Sequence, residues 1–509
     1  MTILTIIEAI DRWGIHDPDR PVYIEKARTA TYGQLKKESD MIAAYLLENS
    51  QPKRPVVVYG ELEFEMLSCF LGASKSGHAY IPIDAHTPKE RIEMILSVAD
   101  PAIILAIDEW PAIKTSAKVV VIKELLEYTP FKNSLEFNPV TGDQTYYIIF
   151  TSGTTGVPKG VQISHDNLLS FVNWELSDLG ITEGMRFLSQ APYSFDLSVM
   201  ALYPTLVSGG SLTPMTKEVI NNFKELFSVL PSLAIEVWVS TPSFMEICLL
   251  EPTFDGEHAT SLKSFLFCGE ELPYKTAAKL LERFPNARIF NTYGPTEATV
   301  AVSAVEITPE LLEQFSRIPI GYVKEDTTVY VMSADSEVPK GEVGEIVIAG
   351  PSVSKGYLNN PAKTAQAFFK YRGQPAYRTG DAGRFHDDLL IYEGRLDFQV
   401  KLHGYRIELE DIDHHLAKVS YVKQATVVPK YNEHKVQQLV AFVVAAENDF
   451  EKEFQLTKAI KAELSQLVMD YMIPQKFIYV DQLPLTANGK IDRKGLMNEV
   501  NATWLVFLI

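Results

Sequence analysis

The sequence predicts an α/β protein: a large N-terminal domain of mostly parallel α/β layers with a β-rich subdomain, followed by a small α+β C-terminal domain. Three observations predict it. The chain has 509 residues, more than one hydrophobic core normally serves. Apolar, strand-like runs alternate with helical stretches along most of it, the rhythm of βαβ units. After Arg395 the texture changes to a compact strand-and-helix module.

The elements follow in order. Tyr32–Leu47 has helical apolar spacing through Leu35, Ile42 and Leu46. Pro55–Tyr59 (PVVVY) is a buried strand, Glu63–Ser76 a helix and Ala79–Ile83 (AYIPI) the next strand. Pro88 opens a helix that runs through Val98, and Ala102–Ala106 is a further strand. Downstream, Val237–Ser240, Ser264–Phe267 and Arg288–Phe290 are strands, with a helix over Tyr274–Phe284. From Thr327 to Ile348 the pattern has period two with Gly and Pro turns, which marks the β-rich subdomain. In the last module a strand pair around Phe398–Leu402 precedes a helix from Glu410. Strands at Ala425–Val428 and Leu439–Val443 follow, then a helix over Leu456–Leu467.

Composition narrows the function. Hydrophobic residues make up 46% and charged residues 22%, ordinary globular values. The formal charge of −18 argues against a chain-wide nucleic-acid footprint, which needs clustered Lys and Arg. From Phe398 onward 13 Lys and Arg face 14 Asp and Glu, so residues 1–397 carry −17 of the total. A near-neutral module on an acidic body reads either as chance or as two parts meeting different partners. Cys69, Cys248 and Cys268 lie in apolar runs with no metal-ligand spacing, as buried thiols of a reducing compartment do. The N-terminal stretch lacks a signal peptide's basic leader and cleavage site, and no apolar run reaches a membrane span. The chain therefore reads as cytoplasmic. Trp504–Ile509 (WLVFLI) is an apolar tail that either docks on the body or is an artefact of how the chain ends.

The strongest local signal is Tyr146–Phe150 (YYIIF) running into Thr151–Gly160 (TSGTTGVPKG). A strand stops at a loop of glycines and hydroxyls closed by Lys159. Glycine lets backbone N–H groups turn inward and hydroxyls add donors, so such a loop can wrap polyphosphate. Neither GxxxxGK[ST] nor GxGxxG is present. Four further motifs follow: Asn291–Glu297 (NTYGPTE), Tyr377–Asp381 (YRTGD), Gly394–Asp397 (GRLD) with Lys401, Gly404 and Arg406, and Asn488–Lys494 (NGKIDRK).

In this order the five motifs resemble the adenylate-forming superfamily of acyl-CoA synthetases, luciferases and peptide-synthetase adenylation domains, across nearly the whole chain. The resemblance implies that ATP is held by Thr151, Ser152, Gly153, Thr154 and Thr155 of the loop. The second motif adds Asn291, Thr292, Tyr293, Gly294, Pro295 and Thr296; Asp381, Tyr392, Glu393, Gly394, Arg395 and Lys490 complete the set. Tyr293 offers a face and Asn291 an amide to adenine. Thr296 can donate to the α-phosphate, Asp381 suits the ribose hydroxyls, and Arg395 can reach ribose or phosphate. Glu297 supplies a hard oxygen for Mg²⁺. Lys490 is the expected catalytic residue, with Thr296 and Glu297, because an ammonium can bridge the substrate carboxylate and the phosphate. Asp397 resembles the family's hinge, making residues 397–509 a mobile lid on residues 1–396.

The acid is indicated by Ala191–Met200 (APYSFDLSVM), similar to the segment where amino-acid-activating relatives set an aspartate against the substrate ammonium. Asp196 takes that place; its other reading is a cap on the following helix. Cys268 in Phe267–Leu272 (FCGEEL) and Val300 fall on pocket segments, Cys268 being either a wall that narrows the cavity or a core thiol. Taken together, these segments resemble the D-alanine–D-alanyl carrier protein ligases of Gram-positive bacteria from the first helix to about Met497. Tyr193 stands where phenylalanine is more usual, and Thr154 where serine is common. The resemblance implies a D-alanine site of Asp196, Cys268, Val300 and Lys490. It also implies ATP-dependent D-alanyl-AMP formation and transfer to the phosphopantetheine thiol of a small acidic carrier protein, for D-alanylation of lipoteichoic acid. A stand-alone adenylating enzyme for another small amino acid, such as L-alanine, is the alternative.

Overall fold

A computed structural model describes residues 2–25, 28–50, 54–107, 109–127, 136–153, 156–486 and 490–501. The apolar tail, Thr154, Thr155 and Asn488 lie outside them. The chain forms two compact units. One comprises residues 1–85, 98–149 and 160–396, the other residues 86–97, 150–159 and 397–509.

The first unit is built on three sheets. Among the described residues the largest has nine strands, ordered Tyr322–Val323, Ser303–Glu306, Arg288–Tyr293, Ser264–Phe267, Val237–Ser240, Arg186–Ser189, Ser211–Pro214, Pro21–Glu25 and Arg28–Thr31. Its interior pairs are parallel, and antiparallel strands close both edges. The second has six strands, with Val56–Gly60 between Tyr80–Asp84 and Ile103–Ala106, all parallel. Val56–Gly60 and Ile103–Ala106 are buried throughout, which is why they read as unbroken apolar runs. The third sheet is the expected β-rich part: Thr328–Ser333, Gly344–Ala349 and Gln374–His386 pair antiparallel.

Most expected elements are present within a few residues. Tyr32–Asn49, Phe64–Lys75, Lys89–Ala99 and Tyr274–Arg283 are helices, and Val237–Ser240 and Ser264–Phe267 are strands as expected. The helix Leu197–Val207 gave no periodic signal because all eleven of its residues are buried, leaving no polar stripe.

Buried polar groups tie the first unit's opening helices together. The Lys75 ammonium, 1% exposed, lies 2.7 Å from Asp11 and 2.6 Å from Asp40, joining the helices Ile6–His16, Tyr32–Asn49 and Phe64–Lys75. Desolvation raises the Asp11 carboxyl despite that cation. His165, 2% exposed, accepts the Ile6 N–H on Nε2 at 3.2 Å. Burial lowers its pKa below the usual 6.5, and a protonated ring could not accept that bond. Stability from the neutral ring is therefore present above about pH 6.5 and lost as pH falls through the lower folded value, by up to about 1.4 kcal/mol per pH unit. His165→Gln, which keeps an acceptor without a titrating ring, is expected to flatten the fall in Tm between pH 7 and 5. An unchanged slope would show that other groups govern it.

In the second unit the hairpin Gln399–Leu402/Tyr405–Glu408 leads into the helix Leu409–Leu416. The strands Val422–Asn432, Lys435–Ala445 and Lys476–Tyr479 form one sheet. The helix Glu453–Leu464 buries Leu456, Ile460 and Leu464 in a core with Ile407, Leu439 and Val443. No described helix is long and apolar enough to cross a membrane.

Candidate active site

In the first unit the second motif occupies the end of the strand Arg288–Tyr293 and the turn beyond it. Gly294 is required there, since a Cβ would lie 2.6 Å from the Ala301 Cα. Pro295 leads into a single 3₁₀ turn, Thr296–Ala298, followed by Thr299 and Val300 with φ of 60° and 68°. Two successive β-branched residues with positive φ are costly, and such strain concentrates at functional sites.

The turn and strand are bound into their surroundings. The Asn291 amide donates to the Pro319 carbonyl at 2.8 Å, and the Thr292 hydroxyl donates to the Phe267 carbonyl at 2.9 Å. That second bond joins the nucleotide motif to the segment carrying Cys268. The Tyr293 hydroxyl donates to Asp381 Oδ2 at 2.5 Å, and Arg395 Nη1 donates to Asp381 Oδ1 at 2.8 Å and to the Thr379 carbonyl at 3.0 Å. Three residues from three motifs, 88 and 14 positions apart in sequence, thus meet on one carboxylate that is 2% exposed. Burial first, then the neighbouring Asp381 charge, push the Tyr293 phenol well above its ordinary range.

Tyr392 lies beside Tyr293, ring centroids 6.5 Å apart, and the Arg317 guanidinium sits 5.2 Å above the Tyr392 ring. Arg317 is itself held by both oxygens of Glu271. Glu393 pairs with Arg384 at 2.7 Å, and Gly394 faces Ala382 in the same strand pair. Glu297 is fully buried; its Oε1 accepts the Tyr357 hydroxyl at 2.7 Å. Arg317 and Tyr357 escape sequence reading because no motif contains them, and Glu271 and Thr379, though inside the FCGEEL and YRTGD segments, because their partners are distant in the chain.

Of the residues expected at the amino-acid site, Cys268 and Val300 come together: the Cys268 thiol is 3.7 Å from the Val300 carbonyl and both are buried. Cys69, Cys248 and Cys268 are all buried and none is in a disulfide. Asp196 precedes the helix Leu197–Val207, yet its side chain makes no capping bond. That removes the cap as the explanation for an acid there. Its neighbours Phe195 and Leu197 pack in the same apolar cluster as Tyr193, Cys268 and Val300. Tyr193 is 4% exposed and edge-on to Phe70.

The second unit holds the other candidates. The Thr151 hydroxyl is buried without a hydrogen-bond partner among the described residues. The Ser152 hydroxyl donates to the Arg406 carbonyl at 3.0 Å and accepts from the Glu408 N–H, and Lys159 pairs with Glu408 at 3.4 Å. Gly153 lies in the same loop, and Gly156 has φ +75° where a Cβ would meet the His414 ring at 2.4 Å. Asp397 accepts the Gln399 N–H at 3.1 Å between exposed Leu396 and Phe398. Lys490 is exposed, and its carbonyl accepts the Thr486 N–H at 2.7 Å. Arg493, three residues on, anchors that motif to the helix Leu409–Leu416 through Glu410 at 2.7 Å and through Asp413.

A family model described as AMP-binding enzyme matches residues 10–358, and its C-terminal domain matches residues 411–490. The D-alanine–D-alanyl carrier protein ligase of Lacticaseibacillus rhamnosus is 56% identical over 503 residues, 97% of this chain and 99% of that protein. One from Streptococcus agalactiae serotype V is 53% identical over 97% of this chain and 99% of its own length. A solved nonribosomal peptide synthetase protein containing adenylation and PCP domains superposes with TM-score 0.82 at 26% identity, covering 97% of this chain and 84% of that one. With a buried clamp built from three of the motifs and relatives matched end to end, the chain belongs to the AMP-binding enzyme family and, within it, to the D-alanine–D-alanyl carrier protein ligases.

Proposed function

We propose that the chain uses ATP to convert D-alanine into D-alanyl-AMP and then passes the D-alanyl group to the phosphopantetheine thiol of a small acidic carrier protein, in the cytoplasm, for D-alanylation of lipoteichoic acid. The observation that carries the choice of acid is Asp196, a buried carboxylate not used as a helix cap, whose chain neighbours Phe195 and Leu197 pack in the apolar cluster that contains Cys268 and Val300. A buried carboxylate favours an acid bearing an ammonium group, and relatives that are D-alanine–D-alanyl carrier protein ligases favour alanine as that acid.

In the first half-reaction a D-alanine carboxylate oxygen attacks the α-phosphorus and pyrophosphate leaves. Asp381, steadied by Tyr293 and Arg395, accepts the ribose hydroxyls. Asn291 and Tyr293 face adenine, and Thr296 donates to the α-phosphate. Lys490 bridges carboxylate and phosphate oxygens while negative charge gathers. In the second, the thiol attacks the acyl carbon and AMP leaves, after a pivot at Asp397 exchanges the lid's working face.

The turn residues suit a divalent cation: Glu297 and Thr296 offer hard oxygens, and Mg²⁺ is held by one or two carboxylates plus substrate phosphates. Bound there, Mg²⁺ would neutralise phosphate charge.

The reading is tested by pyrophosphate exchange with D-alanine, L-alanine, glycine and acetate in parallel. D-Alanine is expected to give the highest kcat/KM and acetate no measurable exchange. Preference for L-alanine would make the chain an enzyme for another small amino acid, and exchange with acetate would remove the role given to Asp196.

A further inference from the structure

We propose that Tyr357 is a positioning residue for Glu297, orienting the carboxylate that receives the divalent cation of the nucleotide; this rests on the reading of Glu297 given above. The Tyr357 hydroxyl donates to Glu297 Oε1 at 2.7 Å, and the two side chains are 60 positions apart in sequence. Both are buried, Tyr357 being 6% exposed and Glu297 0%.

Tyr357 is itself held on several sides. Its backbone N–H donates to Thr364 Oγ1 at 3.0 Å, its backbone bridges Val161, and its ring meets the Phe368 ring edge-on at 5.4 Å. The turn carrying Glu297 is fixed by the same loop. The Ser354 N–H donates to the Glu297 carbonyl at 2.9 Å, and the Thr299 hydroxyl donates to the Ser352 carbonyl at 2.8 Å. Residues 352–357 therefore grip residues 297–299 at three points: the Glu297 carbonyl, the Thr299 hydroxyl and the Glu297 carboxylate.

The chemistry of the third contact is informative. A core held only for packing would be served by phenylalanine against an apolar partner, without burying a carboxylate. A phenol fixes one carboxylate oxygen in direction but leaves the net negative charge in place, which is what a metal-binding carboxylate requires. Partners in the shell behind a metal ligand act in this way, and losing one weakens metal affinity by about 10- to 100-fold.

The test is Tyr357→Phe, which keeps the ring contacts and removes only the hydroxyl, beside Glu297→Gln. Mn²⁺ binding to each protein with α,β-methylene-ATP is followed by electron paramagnetic resonance, and pyrophosphate exchange is titrated with Mg²⁺. Tyr357→Phe is expected to weaken Mn²⁺ binding about tenfold or more. The Mg²⁺ needed for half-maximal exchange should rise in step, while KM for D-alanine changes less than twofold. A lowered Tm with unchanged Mn²⁺ affinity would make Tyr357 merely structural and overturn the proposal. If Glu297→Gln also leaves Mn²⁺ affinity unchanged, the reading of Glu297 itself falls; if only Glu297→Gln weakens it, the positioning role alone falls.

Discussion

Lys490→Ala is expected to lower D-alanine-dependent pyrophosphate exchange by at least about 10²- to 10³-fold, the loss seen when one donor to a developing anionic centre is removed. The carboxylate and the triphosphate approach as like charges, and a compact ammonium meets both at once. Lys490 is exposed and no carboxylate pairs with it among the described residues, so its removal leaves no buried charge stranded. Tm should therefore move little, as for surface substitutions generally. Transfer of D-alanine from preformed D-alanyl-AMP to the carrier thiol should also persist, because that step has released pyrophosphate already. Near-wild-type exchange would sink the assignment; loss of both half-reactions together would point instead to damage in the fold.

The second large effect is expected at Asp196. Replacing one partner of a desolvated charge pair costs about 2–5 kcal/mol, because the other charge is left buried and unpaired. Asp196→Ala should thus reduce kcat/KM for D-alanine by a factor between about 30 and several thousand. Propionate, which has no ammonium, should be used no worse than by the parent enzyme, so the ratio between the two acids is the measurement that matters. Asp196 makes no capping bond to the helix it precedes, so the stability cost of losing a helix cap does not apply here. If D-alanine and propionate fall together, Asp196 supports the pocket's shape and does not read the ammonium.

Much of the frame was legible because local signals agreed with global placement. Val56–Gly60 and Ile103–Ala106 are buried on both faces, and runs of Val, Ile and Ala announce that directly. Val237–Ser240 and Ser264–Phe267 are equally plain. The helix Leu197–Val207 was anticipated only as the helix after Asp196 and not from periodicity: a helix buried all round has no polar stripe, and Pro204 inside it counts against a helix locally. That helix starts immediately after Asp196, whose side chain does not cap it.

What the sequence by itself determined is the inventory: a phosphate loop, a Tyr-Gly-Pro-Thr-Glu turn, single acids at Asp196 and Asp381, and a late lysine, in an order that places the chain in its family. Only the tertiary structure decided the company these groups keep. It put Tyr293 and Arg395 on the two oxygens of Asp381, the Cys268 thiol against the Val300 carbonyl, and the Tyr357 hydroxyl on Glu297. The physical reason is that pattern and turn chemistry act over a few residues along the chain. Satisfying a buried carboxylate is a three-dimensional requirement, met here by donors up to 88 positions away.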